Sequence, residues 1–455
     1  IASMKWARNY LFLLMSCWVL FVMNGCYGLA NSIADTTGIT KSNLIVLTKK
    51  IPLAVSQDER GEYIGLEYDR LLNFAKQLKA DLVFKFFDTD QEIFEAIQRG
   101  EGDLAAARLR NRSGFLTGPV FEESDYSFVC KRVSQQNESL EDVLNKNRKI
   151  VAMSGDSKLS GNSTSPIADL DKSIEFVNHD NPFELLKSVA NKDVDCAILE
   201  SGLAQYYVRL FSSLAVKFKI QKEYPVVWFF RDEYLKVASL NWFSSAARQG
   251  VLAEALNDYL GHLHQVDILE SRLFFKALET DFPKYEDLFK RAGVEMGLPW
   301  KLLAAVSFQE SHWQADARSF TGVRGLMMLT EATAATLMVN DRNDPEQSVF
   351  GGAKLLRKLI DLQPSELGFR NKLQLALAAY NIGSGHLKDA MTLANSMGQN
   401  PKAWHVLKTV LPMLSDEQVH IRTEFGFARG NETVKFVDRV MGFYEILVER
   451  IKDAG

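Results

Sequence analysis

One glutamate at the end of an apolar run is the first feature of this sequence that could do chemistry. Pro299 suits the first turn of a helix, and the stretch Trp300 to His312 puts Leu303, Val306 and Glu310 at i, i+3 and i+7, on one face. The Glu310 carboxyl is therefore expected to point toward the core. Lost hydration there disfavours the ionised form, which is how a glutamate becomes a proton donor near neutral pH. A lone glutamate in such a place is more often a cap or an ion-pair member, so its neighbours in sequence matter. Downstream, Tyr380 and Asn381 carry polar tips at the end of the apolar stretch Leu375 to Ala379, and those tips must find partners. Metal chemistry has no comparable support. The seven histidines are scattered, and His262 and His264 alternate without a cysteine or carboxylate at ligand spacing, so neither a metal nor a cofactor is expected. The cysteines, at 17, 26, 130 and 196, form no CxxC pair.

The elements that must position these groups fall into two sets. A chain of 455 residues should hold two or three compact units, and two large domains is the natural division. From Asn43 to His262 short β-branched runs alternate with amphipathic stretches, as in an α/β domain with a mainly parallel sheet. Strands are expected at Leu44 to Thr48, Leu82 to Phe87, Leu104 to Ala107, Ser127 to Cys130, Ile150 to Met153, Ile174 to Val177, Cys196 to Leu199, Val216 to Ile220 and Val226 to Phe230. Helices are clearest at Tyr68 to Leu78, Gln91 to Gln98, Pro182 to Ala190 and Ala246 to Leu260. After His264 the pattern is helical, with breaks at Gly297 to Pro299, Gly322 to Gly325, Gly351-Gly352, Pro364 and Gly383 to Gly385. The expected organisation is an α/β domain over 43–264, a helical connector over 265–279 and an all-α domain over 280–455.

Composition narrows the partners. With 47% hydrophobic and 24% charged residues and a net charge of -4, the chain offers no basic surface to a polyanion, and nucleic acid is not an expected partner. At the start, Lys5 and Arg8 precede the apolar run Tyr10 to Met23, too short to span a bilayer, so residues 1–30 are expected to be a signal peptide. Two cleavages are open: before Cys26, which would then carry acyl chains, or after Ala30. Either implies export from the cytoplasm, and the location expected is the periplasmic side of the outer membrane, peripheral or lipid-anchored. Cys130 and Cys196 fall in expected strands; nothing in the sequence shows that they meet, so buried thiols are expected ahead of the alternative, a disulfide between them.

Four ordered motifs carry a family resemblance. Gln309-Glu310-Ser311, Gly322-Val323-Arg324-Gly325-Leu326-Met327-Met328, Ala379-Tyr380-Asn381-Ile382-Gly383, and Glu432-Thr433 with Phe436-Val437 resemble, in sequence order, the motifs of lytic transglycosylases of the soluble lytic transglycosylase class. Met328 stands where many relatives have Gln, and Phe436 where a Tyr is usual, so no hydroxyl role is carried to Phe436. The resemblance implies a lysozyme-like domain acting on peptidoglycan glycan strands. Glu310 would protonate the β-1,4 oxygen between N-acetylmuramic acid and N-acetylglucosamine, and the substrate's acetamido oxygen would support the developing cation. Glu310 would then take the proton of the muramyl C6 hydroxyl as a 1,6-anhydro ring closes. A two-carboxylate glycosidase mechanism lacks its second acid, since Asp316 lies in a turn and Glu331 reads as a first-turn residue of a helix. Ser311, Met327, Met328, Tyr380 and Asn381 are the expected substrate contacts. Ser311 would bond the Glu310 carboxyl or the acetamido group, or simply end the helix, and the methionines would form an adaptable wall or fill the core.

The first domain resembles two-lobed periplasmic solute-binding domains of the amino-acid-binding kind, through Gly65-Leu66-Glu67-Tyr68-Asp69 and Asp193-Val194-Asp195-Cys196-Ala197-Ile198-Leu199-Glu200. That resemblance implies that Glu200 binds a ligand amino group, that Arg108, Arg110 or Arg112 clamps its carboxylate, and that Gly155-Asp156-Ser157 presents backbone N–H groups. A muropeptide or amino acid would be the regulatory ligand; a degenerate cleft that only positions the enzyme is the alternative. The fold expected overall is a two-lobed α/β solute-binding-like domain followed by an all-α lysozyme-like catalytic domain. Two other functions stay open at this point, a solute receptor and a cell-wall scaffold, each with an idle helical domain.

Overall fold

The computed structural model describes residues 43–451 apart from 59–60, 133–138, 140–142, 144–148, 154–173, 178–180, 249, 261–267 and 366. Residues 1–30 with Cys26, the Gly155-Asp156-Ser157 segment, His262 and His264 lie outside the described residues.

The first half is built on strands β1 (Asn43–Thr48), β2 (Ser56–Gln57), β3 (Tyr63–Ile64), β4 (Asp81–Phe86), β5 (Leu104–Arg110), β6 (Leu116–Lys131), β7 (Ile150–Met153), β8 (Ile174–Val177), β9 (Cys196–Glu200) and β10 (Leu214–Phe230). Its helices are α1 (Leu66–Leu78), α2 (Asp90–Gln98), α3 (Pro182–Asn191), α4 (Ser201–Val208), α5 (Glu233–Arg248) and α6 (Val251–Leu260). Eight strands form one sheet in the order β4-β1-β5-β10-β6-β9-β7-β8, while β2 and β3 make a separate ribbon. Alternation along each central strand feeds both faces. Leu104, Ala106, Trp228 and Phe230 pack with α1 and α5 on one side, whereas Ala105, Ala107, Val227 and Phe229 pack with α2 on the other.

The expectation of a mainly parallel sheet needs correction. β1 runs parallel to β4 and β5, and β7 to β8 and β9, but β6 and β10 are antiparallel to each other and to their outer neighbours, β9 and β5. These two long strands join the two parallel halves. Parts of both strands carry the polar alternation of half-exposed antiparallel strands, Lys217 to Gln221 in β10 and Glu122 to Asp125 in β6, a signal that reading only their apolar ends as short separate strands passed over. The two strands expected at 216–220 and 226–230 are one, β10, whose pairing with β6 shifts register between Ile220 and Tyr224. The helix expected at 246–260 is instead α5 and α6, separated at Gly250, which takes φ 77°. The two cysteines are also not thiols. Cys130 on β6 lies opposite Cys196 on β9, with Cα atoms 4.3 Å apart, and the pair forms a disulfide.

Beyond β10 the described residues are helical: α7 (Ile268–Thr280), α8 (Glu286–Met296), α9 (Trp300–Ser311), α10 (Glu331–Leu337), α11 (Pro345–Asp361), α12 (Phe369–Ile382), α13 (Ser384–Ser396), α14 (Trp404–Val410), α15 (Glu417–His420) and α16 (Gly430–Arg450). Gly351 and Gly352, expected to break a helix, lie inside α11, where a Cβ on Gly352 would stand 2.7 Å from the Met327 side chain. They serve close packing. Phe274, Phe308 and Phe443 pack around the middle of α9 with centroids 4.7 to 4.8 Å apart. The two halves share an apolar cluster that includes Tyr206, Tyr207, Tyr259 and Tyr444. At the same junction Glu445 of α16 is gripped by Arg209 from the sheet half and, at 2.8 Å, by Arg370 of α12.

Candidate active site

Leu302, Leu303, Ala304, Ala305, Val306 and Phe308 are all buried, so α9 is covered on every side, as a helix running through a core must be. Glu310 stands in its last turn, half-buried. The chain then reverses through His312 and Trp313, both with left-handed φ, and Trp313 closes the turn by donating from Nε1 to the Ala304 carbonyl at 2.9 Å. Burial pushes the Glu310 carboxyl up to about 8, and no neighbouring charge contributes to that rise. Among the described residues, no hydrogen bond or ion pair reaches the carboxylate. At neutral pH it is therefore mainly protonated and its proton is uncommitted.

A second strip of chain, Gly325 to Met328, is pinned against this helix by side-chain donors. Ser307 and Ser311, one turn apart, both donate to the Leu326 carbonyl, at 3.0 and 2.9 Å, filling its two lone pairs. Tyr380, at the end of α12, donates from Oη to the Met327 carbonyl at 2.9 Å. From the far side the Met327 N–H donates to Ser348 Oγ at 3.1 Å. Gly325 has φ 81°, and a Cβ there would fall 1.7 Å from the Arg342 carbonyl oxygen, so no other residue fits. Met328 also has a left-handed φ, 45°, a strained conformation held by the surrounding bonds.

These placements sort the expected site residues. Tyr380 is half-buried beside Glu310; burial, then the glutamate's charge, hold its phenol well above the usual value, so it acts as a neutral hydroxyl. Its ring stacks parallel to that of Phe436 at 6.4 Å, which gives Phe436 a packing role and no polar one. Asn381 is exposed, and its Oδ1 accepts from Thr433 Oγ1 at 2.8 Å, tying the start of α16 to the end of α12. Met328 is half-buried. Two expectations are corrected. Ser311 is buried and its hydroxyl serves the Ser307 and Leu326 carbonyls, so it positions the wall and does not touch the Glu310 carboxyl. Met327 is wholly buried against Gly352, so its side chain fills the core and lines no cleft. Ser307 and Ser348 escaped the sequence reading. The i, i+4 pair Ser307 and Ser311 inside an apolar helix was the available signal. Asp316 and Glu331 are both exposed, as expected of surface acids.

In the sheet half, Arg108 is the arginine that faces Glu200, and the correction here is larger. Arg108, with φ 56° at an irregularity in the β5–β10 pairing, donates to both Glu200 oxygens, from Nε at 3.1 Å and Nη2 at 2.8 Å, and from Nη1 to Glu122 at 2.9 Å. Glu200 also accepts from the Ser124 hydroxyl and from the N–H groups of Gly202 and Leu203, capping α4. Burial would raise the Glu200 carboxyl, but Arg108 and these hydrogen bonds hold it below the ordinary value. The acid and the base expected to grip a ligand from opposite sides grip each other. Arg110 lies over Tyr126 and Tyr224, and Arg112 over Phe94 and Phe115, so neither replaces Arg108. A cavity of about 910 Å³ opens elsewhere between the two lobes and the helical half, lined by Lys49, Phe87, Phe183, Tyr207, Arg370 and Tyr444 among others.

Comparison with known proteins finds a matching family model and relatives along most of the chain. Residues 287–402 match the family model for the Transglycosylase SLT domain, a span that holds Glu310, the Gly325 to Met328 strip and Tyr380-Asn381. The chain is 32% identical over 422 residues to a membrane-bound lytic murein transglycosylase F of Actinobacillus succinogenes, covering 91% of this chain and 87% of that protein. It is 34% identical over 426 residues to a protein of the same name from Yersinia pestis, covering 91% and 85%. Among solved structures, an ancestral arginine-binding protein bound to arginine aligns with 48% of this chain and 99% of its own, at 19% identity and a TM-score of 0.42.

Proposed function

The chain belongs to the membrane-bound lytic murein transglycosylase F family, and from that premise we propose that Glu310 is the single catalytic acid and base of the reaction. The enzyme is a peptidoglycan lytic transglycosylase: it cleaves the β-1,4 bond between N-acetylmuramic acid and N-acetylglucosamine and leaves a 1,6-anhydro sugar. Protonated Glu310 gives its proton to the bridging oxygen as the C1–O bond breaks. The neighbouring acetamido oxygen of the muramyl sugar shares its electron pair with C1. Glu310, now ionised in a site that disfavours its charge, takes the proton of the C6 hydroxyl, and O6 closes on C1 as the acetamido oxygen leaves. No water is consumed. Met328, Tyr380 and Asn381 border the sugar, with Tyr380 fixing the wall through the Met327 carbonyl.

The observation that carries this reading is a carboxyl raised to about 8 by burial alone, with no cation holding it. Ordinary glycosidases divide acid and nucleophile between two carboxylates; a lone acid that must first give and then take one proton suits ring closure. Digestion of purified sacculi followed by mass spectrometry tests it. Anhydro-ended muropeptides are expected, and their loss in Glu310→Gln. Reducing ends without anhydro ends would mean a hydrolase.

We also propose the division into units at 43–264, 265–279 and 280–455, with the first unit regulatory. The Arg108–Glu200 pair uses up the groups expected to hold an amino acid, so a cell-wall peptide or amino acid would occupy the cavity of about 910 Å³ that both lobes share with α12 and α16. Calorimetric titration with soluble stem peptide tests this; no binding by the intact protein would favour a purely positioning role. For attachment, no helix among the described residues is long and apolar enough to cross a membrane. Acylation of Cys26 at the periplasmic face of the outer membrane is the proposed anchor, and Cys26→Ser should release the protein from the membrane fraction.

A further inference from the structure

The chain between α15 and α16 presents aromatic side chains to solvent in a way that packing does not explain. Phe425 is 49% and Phe427 55% exposed, yet the backbone that carries them is firmly held. Asp389 of α13, buried, accepts from the Glu424 and Phe425 N–H groups, one on each carboxylate oxygen, at 3.0 and 2.9 Å. Thr423 Oγ1 accepts from the Gly426 N–H at 3.2 Å, Gly426 takes φ 79°, and the Ala428 N–H donates to the Leu414 carbonyl at 3.2 Å. Each ring is set edge-on to a histidine, Phe425 to His386 at 6.1 Å and Phe427 to His420 at 5.6 Å. A buried carboxylate, a positive-φ glycine and two ring contacts thus fix two large apolar faces outward. Singly exposed aromatics are ordinary, but two on one short segment whose backbone is fixed by a buried carboxylate suit a binding surface.

Their place in the fold says what they bind. Phe425 lies on Gly385, where a Cβ would come within 2.5 Å of its ring, so the first turn of α13 is bare to admit it. That turn follows Gly383 directly after Tyr380 and Asn381, and Asn381 is tied through Thr433 to the helix that the aromatic segment leads into. The segment is therefore continuous with the proposed scission site. We propose that Phe425 and Phe427 form an aromatic platform that holds N-acetylated sugars of the glycan strand outside the scission site, so that the enzyme prefers long strands. Sugar rings offer axial C–H faces to aromatic rings, while their hydroxyls stay in water, which suits rings that are half exposed. This rests on the reading of Glu310 as the scission centre and extends it to strand length.

The test compares the full protein with Phe425→Ala/Phe427→Ala on two substrates: uncrosslinked glycan strands, and a tetrasaccharide of two disaccharide units. The double variant should lose roughly five- to twentyfold in kcat/KM on long strands, mostly through KM, at about the value of one or two aromatic contacts. On the tetrasaccharide it should match the parent, and Phe425→Trp/Phe427→Trp should restore activity on strands. Equal loss on both substrates, or no loss on either, would overturn the platform. So would unchanged strand kinetics with lost binding to phosphatidylethanolamine and phosphatidylglycerol vesicles, which would assign the rings to a membrane. If the parent itself fails to make anhydro ends on either substrate, the Glu310 reading fails instead.

Discussion

Replacing Glu310 by glutamine should inactivate the protein and at the same time stabilise it, in a way that pH reveals. In the unfolded chain this carboxyl ionises at its ordinary value of 4.5; in the folded protein burial raises it to about 8. An acid whose folded value is raised binds its proton more tightly when folded. Its ionisation therefore opposes folding, not at all below pH 4.5, increasingly from there to pH 8, and by a constant amount above. At pH 7 the distance is about 2.5 units, which at ~1.4 kcal/mol per unit is about 3 kcal/mol of destabilisation. Glutamine cannot ionise and so escapes it. Burial of its amide costs a further ~1–2 kcal/mol, but at every pH alike. Thermal melts of parent and Glu310→Gln from pH 4.5 to 8 are the assay. At about 2–4 °C per kcal/mol, the variant's advantage should widen by roughly 6 °C or more between pH 4.5 and pH 7. A gap that is flat with pH, or that narrows, would show that the carboxyl is well solvated in the folded protein, and the acid role argued for it would go with it.

The other predictions concern parts that hold the site and its partner domain. Activity should require protonated Glu310 at the start of each turnover, so kcat/KM should fall above about pH 8; a profile flat to pH 9 would place the proton elsewhere. Arg108→Ala should cost about 3–5 kcal/mol in urea unfolding at pH 7, because it leaves Glu200 buried and unpaired, while Arg108→Ala/Glu200→Ala should cost clearly less than the sum of the single changes. Glu200 is held below its ordinary value, so its pairing adds stability at neutral pH and loses it only as pH falls through the acid range. Reduction of Cys130–Cys196, which closes a loop of 66 residues, should lower stability by about 4 kcal/mol on the chain-entropy estimate, measured by melts with and without dithiothreitol. Gly325→Ala should destabilise by at least ~3 kcal/mol and disorder the strip that Tyr380 and Ser311 hold, measured by melting and by lost turnover.

How much of this the sequence disclosed depended on whether the deciding contact was local. Helix α9 and the position of Glu310 in it were legible because i, i+3, i+7 spacing is a property of neighbours along the chain. The apolar parts of the strands were legible for the same reason, but the full lengths of β6 and β10 were not: their polar middles, Glu122 to Asp125 and Lys217 to Glu223, read as breaks until each strand is paired along the other. The disulfide needs Cys130 and Cys196 to be opposite each other, which only the β6–β9 register decides. Met327 and Ser311 were misread in the same way. Nothing near Met327 in sequence reveals that Gly352 leaves a hole for it, or that the Ser311 hydroxyl meets the Leu326 carbonyl.

Glu200 and Glu310 make the point sharpest, since both end a buried apolar element and both read as functional acids in sequence. One meets Arg108, Ser124 and two backbone N–H groups, so the cost of burying its charge is offset and the carboxylate stays ionised. The other meets none, so it keeps its proton. A residue type and its burial therefore fix only that the charge must be dealt with. Whether it is neutralised by a partner or by a proton is settled by what stands opposite, and only the second outcome leaves a transferable proton in the site.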